Sequence, residues 1–91
     1  MPHSLDPAYA AAYNNLGISY GFLGKREEAA EFFKKAIALN QGFGEAYGNL
    51  SLVYYEDKRY DLAVAYCDKA IAAGYKVNPQ LLKALEPYRG R

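Results

Sequence analysis

An asparagine recurs at a fixed interval in this chain. The phrases AYNNLG at residues 12–17 and AYGNLS at residues 46–51 put Asn15 and Asn49 34 residues apart. A carboxamide carries two N–H donors and a carbonyl acceptor, so an exposed pair can hold a peptide group without reading its side chain. At 100° per helical residue, Ala11, Asn15, Ile18 and Phe22 point away from Tyr13, Leu16 and Tyr20. Glu45, Asn49, Leu52 and Glu56 hold the same face of the second phrase, flanked by Gly48 and Tyr55. Laid side by side, Asn15 and Asn49 are expected to form two rungs of an amide ladder. Ile18, Phe22, Leu52 and Tyr55 would surround it with apolar and aromatic contact. Plainer alternatives stand beside this one. The asparagines can bond to a neighbour or to water, and Ile18 and Leu52 can pack adjacent helices.

No other constellation points to catalysis. His3 is the sole histidine and has no partner with which to build a metal site or a triad. Cys67, the sole cysteine, falls on an interior helical position and reads as a small core residue rather than a nucleophile. Glu27, Glu28, Glu45 and Glu56 sit on polar faces, without the burying environment that acid–base work by a carboxyl needs. The basic pairs at 25–26 and 34–35 read as a solvated outer face. The chain is therefore expected to be non-enzymatic, with no cofactor and no metal.

Composition narrows the partner class. Eleven Lys and Arg against ten Asp and Glu leave a net charge of +1, which gives no electrostatic case for nucleic acid or a membrane. The longest apolar stretches are a few residues, far short of a membrane span, and the start MPHSLDPAY lacks the pattern of a secretion signal. One cysteine excludes an internal disulfide. These features fit a cytoplasmic protein. Ten tyrosines against four phenylalanines suit surfaces that are half buried or that bind something.

The asparagines are positioned by a repeat. Laying residues 10–43 over 44–77 gives ten identities without a gap, among them Tyr13/Tyr47, Leu16/Leu50, Tyr20/Tyr54 and Ala29/Ala63. Tyr13, Leu16, Gly17 and Tyr20 follow the i, i+3, i+4, i+7 spacing of a helix, as do Tyr47, Leu50, Ser51 and Tyr54. Ala29, Phe33, Ala36 and Ile37, then Ala63, Cys67, Ala70 and Ile71, mark a second helix in each unit. LGK and DKR between them read as tight turns. Each unit is a helical hairpin, with Gly17, Ala29 and Ala36 where backbones approach. Asp6-Pro7 and Asn78-Pro79 read as N-caps followed by the first helical residue, and Gly74 as a helix stop. Leu81, Leu82, Leu85 and Tyr88 form the stripe of a final amphipathic helix, ended or kinked by Pro87.

These residues resemble the tetratricopeptide repeat family, whose 34-residue motif is filled by Tyr13, Leu16, Gly17, Tyr20, Gly24, Ala29, Phe33 and Ala36, and again by Tyr47, Leu50, Tyr54, Ala63 and Ala70. Departures are Ser51 for Gly, Cys67 for the aromatic, Lys58 for the turn Gly, and Gln41 and Tyr75 for the junction Pro. The resemblance implies an all-α, right-handed superhelical stack of two antiparallel hairpins, residues 10–43 and 44–77. A capping helix over 78–91 closes it, with the first helix of each hairpin on the concave side. Residues 1–9 match the end of a preceding repeat or form a tail, within one domain over 1–91.

The resemblance also implies a groove that binds a peptide or helix of a partner protein. Its residues here are Asn14, Asn15, Ile18, Phe22, Glu45, Asn49, Leu52, Tyr55 and Lys83. One variant of the family clamps a C-terminal carboxylate. At its five positions this chain has Asn14, Ile18, Asn49, Pro79 and Lys83, so three ligands are missing and that clamp is not expected. Lys83 and Arg89 still offer charge to an acidic partner end. The alternative function is self-association, as a homo-oligomer or as the C-terminal end of a longer repeat array.

Overall fold

The computed structural model describes residues 6–90; His3 and the rest of the N-terminal stretch 1–5 lie outside the described residues. Helices α1 (Pro7–Phe22) and α2 (Arg26–Leu39) form one hairpin, and α3 (Gly44–Glu56) and α4 (Tyr60–Ala72) the other. Helix α5 (Pro79–Leu85) follows and runs into a 3-10 turn at Glu86–Tyr88, which contains Pro87. The hairpins pack through α2 and α3, and α5 closes on α4. This is an alpha-alpha superhelix.

Local chemistry sets the helix ends. Asp6 accepts a hydrogen bond from the Ala8 N–H at 2.9 Å and Asn78 from the Gln80 N–H at 2.8 Å, each followed by Pro at the first helical position. α1, α3 and α4 stop in the same way, on a residue with positive φ: Gly24 at 78°, Lys58 at 63° and Gly74 at 86°. In each case the next N–H reaches back to the last turn, Lys25 to the Tyr20 carbonyl, Arg59 to Tyr54 and Tyr75 to Ala70. Lys58 thus adopts the backbone that glycine adopts in the first unit, at a steric cost glycine would not carry.

Aromatic packing accounts for the tyrosine surplus. Phe32 lies between Tyr13 and Tyr20, with ring centroids 6.1 and 5.0 Å away. Tyr66 repeats the arrangement between Tyr47 and Tyr54, at 6.2 and 5.6 Å. Lys34 and Arg59 both lie over the Tyr54 ring. The departures from the repeat pattern compensate each other in volume. A Cβ on Gly17 would stand 2.5 Å from the Phe33 ring, so glycine admits the large neighbour. In the second unit, Ser51 occupies the glycine position and the facing residue shrinks to Cys67; both are fully buried. The Ser51 hydroxyl donates to the Ala63 carbonyl at 2.7 Å, so its polarity is satisfied.

The two ends of the stack differ. Leu50 is wholly buried in the cluster that contains Phe33 of α2, whereas its counterpart Leu16 is 41% exposed. Ala46 and Val53 are buried, and their counterparts Ala12 and Ser19 are exposed. No helix among the described residues covers that stripe of α1. At the far end, Leu81 and Leu85 are buried, the Tyr88 ring stacks on Tyr60 at 3.9 Å, and Arg89 pairs with Asp68 at 2.8 Å.

Two stability predictions follow from this packing. Leu50→Ala should lower the unfolding free energy by about 2–5 kcal/mol, and Leu16→Ala by less than half of that, in urea titrations. Lys58→Gly should raise stability by about 0.5–1 kcal/mol, since it removes a strained backbone at an exposed turn.

Candidate functional site

One face of the stack is built from α1, α3 and α5 and carries two clefts. The first, of about 260 Å³, lies between α1 and α3 and is lined by Ile18, Phe22, Asn49, Leu52 and Glu56 over a floor of Gly17 and Phe33. The second, of about 430 Å³, lies between α3 and α5 and is lined by Asn49, Leu52, Tyr55, Tyr75, Val77 and Ala84. Asn49 and Leu52 line both clefts and form the ridge between them. Phe22 is 89% exposed at the mouth of the first cleft, and Leu52 is 42% exposed on the ridge. A hollow of about 510 Å³ on another face is walled by charges of both signs, among them Arg26, Glu28, Glu31, Lys34, Asp57 and Arg59. Ala30, Val53 and Tyr54 complete that lining.

The hydrogen bonds across the groove face are not those of the expected ladder. Asn49 Nδ2 donates to Asn14 Oδ1 at 3.1 Å, and Asn14 Nδ2 donates to Glu45 Oε2 at 3.2 Å. Asn14 is 2% exposed, a buried structural amide rather than a groove donor. Asn15 is exposed and lines neither cleft. The correction has a geometric cause. In a head-to-tail stack the forward side of one helix meets the rear side of the next, so equivalent positions cannot touch. Asn14 is on the forward side of α1 and Asn49 on the rear side of α3. Asn15 holds the rear side of α1, where no described helix lies.

The network has a direction. A carboxylate only accepts, so Asn14 must turn its NH2 toward Glu45 and its oxygen toward Asn49. Asn49 in turn gives its NH2 to Asn14, and its own carbonyl oxygen accepts no hydrogen bond among the described residues. The ridge therefore presents that oxygen together with the second Asn49 N–H.

Of the remaining candidates, Ile18 and Tyr55 are half-buried cleft walls, and Tyr55 tilts against Tyr60 at 5.7 Å. Glu45 is exposed and holds Asn14. Lys83 is exposed and lines neither cleft, and Arg89 is engaged by Asp68 and by the Cys67 sulfur at 3.6 Å. Arg89 is thus already paired, while Lys83 is not engaged by Asp68. Burial pushes the Cys67 thiol pKa up, partly opposed by Arg89, as suits a core residue. Tyr75 was absent from the sequence-derived groove. A Cβ on Gly48 would stand 2.8 Å from its ring and one on Gly44 2.6 Å from its Cβ, so two glycines four apart on α3 seat this tyrosine. That spacing was the available signal.

Asn14→Ala should destabilise by about 1–3 kcal/mol, because it strips Asn49 and Glu45 of a partly buried partner. Asn15→Ala should change stability by less than about 0.5 kcal/mol. Denaturant titration of the two variants side by side checks the assignment.

Comparison with known proteins places the fold. Tetratricopeptide repeat models match residues 10–43 and residues 44–73. The chain is also similar to the Hordeum vulgare protein named "Probable UDP-N-acetylglucosamine--peptide N-acetylglucosaminyltransferase SPINDLY", 34% identical over 74 residues, which cover 74% of this chain and 8% of that protein. The chain thus spans less than a tenth of that relative's length. With two repeat models over most of its length and two stacked hairpins capped by α5, this chain belongs to the tetratricopeptide repeat family.

Proposed function

We propose that this chain is a non-catalytic docking module that holds a segment of a partner protein across α1, α3 and α5. Tetratricopeptide repeats are protein–protein interaction modules, which gives the class of activity. The observation that carries the finer reading is the pair of clefts meeting at the Asn49–Leu52 ridge. Their walls combine exposed apolar side chains with a hydrogen-bond acceptor, the combination that anchors a peptide and orients it. The walls belong to packed helices, so little ordering entropy is lost on binding. With two clefts, an affinity on the micromolar scale is expected. The transferase activity in the barley protein's name belongs to that much longer chain. The near-neutral charge of this one favours a protein segment over nucleic acid or a membrane.

A second reading, stacking on another helical unit, is favoured by one observation. Ala12, Leu16 and Ser19 leave open on α1 the stripe that α3 buries against α2. A homo-oligomer or a longer array would fill it. Mass against concentration distinguishes this from groove binding.

A displayed peptide library screened on the wild type and on Leu52→Asp tests the groove. Binders should lose at least about tenfold in affinity to the variant, whose melting temperature stays near that of the wild type because Leu52 is an exposed ridge residue. Binders indifferent to the change would contradict the proposal.

A further inference from the structure

The charges on the groove face of α3 carry a more specific reading, which rests on the docking function proposed above. Glu45, Asn49, Leu52 and Glu56 are spaced i, i+4, i+7, i+11 and form one stripe along the helix. Both ends of the stripe are carboxylates. Its centre is the apolar Leu52 beside the Asn49 acceptor. Eleven residues at the helical rise separate the two ends by about 16 Å. No lysine or arginine is among the residues lining either cleft. Glu45, at the start of α3, and Lys83, on α5, are both exposed outside them.

Glu56 has no structural reason to be acidic. It is the last residue of α3, where the helix dipole disfavours a negative charge, and it forms no ion pair or side-chain hydrogen bond among the described residues. Glu45 engages Asn14 through Oε2 alone and is otherwise exposed, so its second oxygen faces solvent. The polar groups that the stripe leaves without an internal partner are thus carboxylate oxygens at both ends, with the Asn49 carbonyl and its second N–H between them.

We infer that the groove selects a segment with two basic residues about five positions apart and apolar residues between them. An extended chain advances about 3.3 Å per residue, so five steps match the distance between Glu45 and Glu56. The apolar residues between them sit on Leu52 and enter the flanking clefts, and a guest N–H meets Asn49 Oδ1. An acidic C-terminal tail is the guest this face rejects, because it would bring carboxylates to carboxylates with no cation between them.

The test uses two fluorescein-labelled octapeptide pools. One is G-(R/K)-x-x-x-x-(R/K)-G and the other G-(D/E)-x-x-x-x-(D/E)-G, with x drawn from Leu, Ile, Phe, Tyr and Ser in both. Fluorescence polarisation is read on the wild type, Glu56→Gln and Leu52→Asp, each checked for an unchanged melt. The basic pool should bind the wild type at least about fivefold more tightly, the scale of exposed charge pairs acting together, and added salt should erode the difference. Glu56→Gln should cut the preference to about half or less, and Leu52→Asp should abolish binding of both pools. Equal or preferential binding of the acidic pool, still abolished by Leu52→Asp, would overturn the charge selection and leave the groove standing. A basic preference that survives Glu56→Gln would overturn it as well, since the cations would then be held elsewhere. Binding indifferent to Leu52→Asp, or no binding of either pool, would count against the groove and the selection together.

Discussion

A helical hairpin cannot enclose its own first helix, and much in this structure follows from that constraint. Leu50 is sealed only because α2 of the preceding hairpin lies against α3, while Leu16, in the same place on α1, stays 41% exposed. Stacking is directional, so each first helix uses one side toward the unit before it and another toward the unit after it. The groove face is what remains between those two sides. Phe22 and Leu52 on that face stay exposed, while Ile18 and Tyr55 pack partly against the core.

The same directionality decides which polar groups reach the groove. Asn14 is on the forward side of α1 and is covered by the next hairpin, so its amide is used internally. Glu45 anchors the chain of hydrogen bonds, and because a carboxylate cannot donate, it fixes the orientation of both amides. The consequence is electrostatic as well as structural. The α3 stripe shows the Asn49 carbonyl and one N–H at its centre and carboxylates at its ends. Small residues then set its shape, with Gly17 seating Phe33 at the floor of one cleft and Gly48 seating Tyr75 at the wall of the other.

Local and periodic features of this fold were legible in the sequence. The 34-residue identity, the Asp-Pro and Asn-Pro caps and the glycine stop at Gly74 each depend on a few neighbouring residues, and the helices begin and end where those signals stand. The amide pairing was not legible, because alignment of repeats pairs equivalent residues, whereas contact joins Asn14 to Asn49. Tyr75 was hidden for a related reason. Its place depends on atoms missing from Gly44 and Gly48 of another helix, and a missing Cβ leaves no periodic trace. Ser51 and Cys67 could be seen as departures, but only their facing positions explain why the two changes belong together.

The register of the amide pair is the claim on which the account of the groove turns, and side-chain amide exchange measured by NMR addresses it most directly. The account predicts that the Asn14 NH2 protons exchange with water far more slowly than those of Asn15, which behave as in a free peptide. Equal rates for Asn14 and Asn15, or protection confined to Asn15, would contradict it.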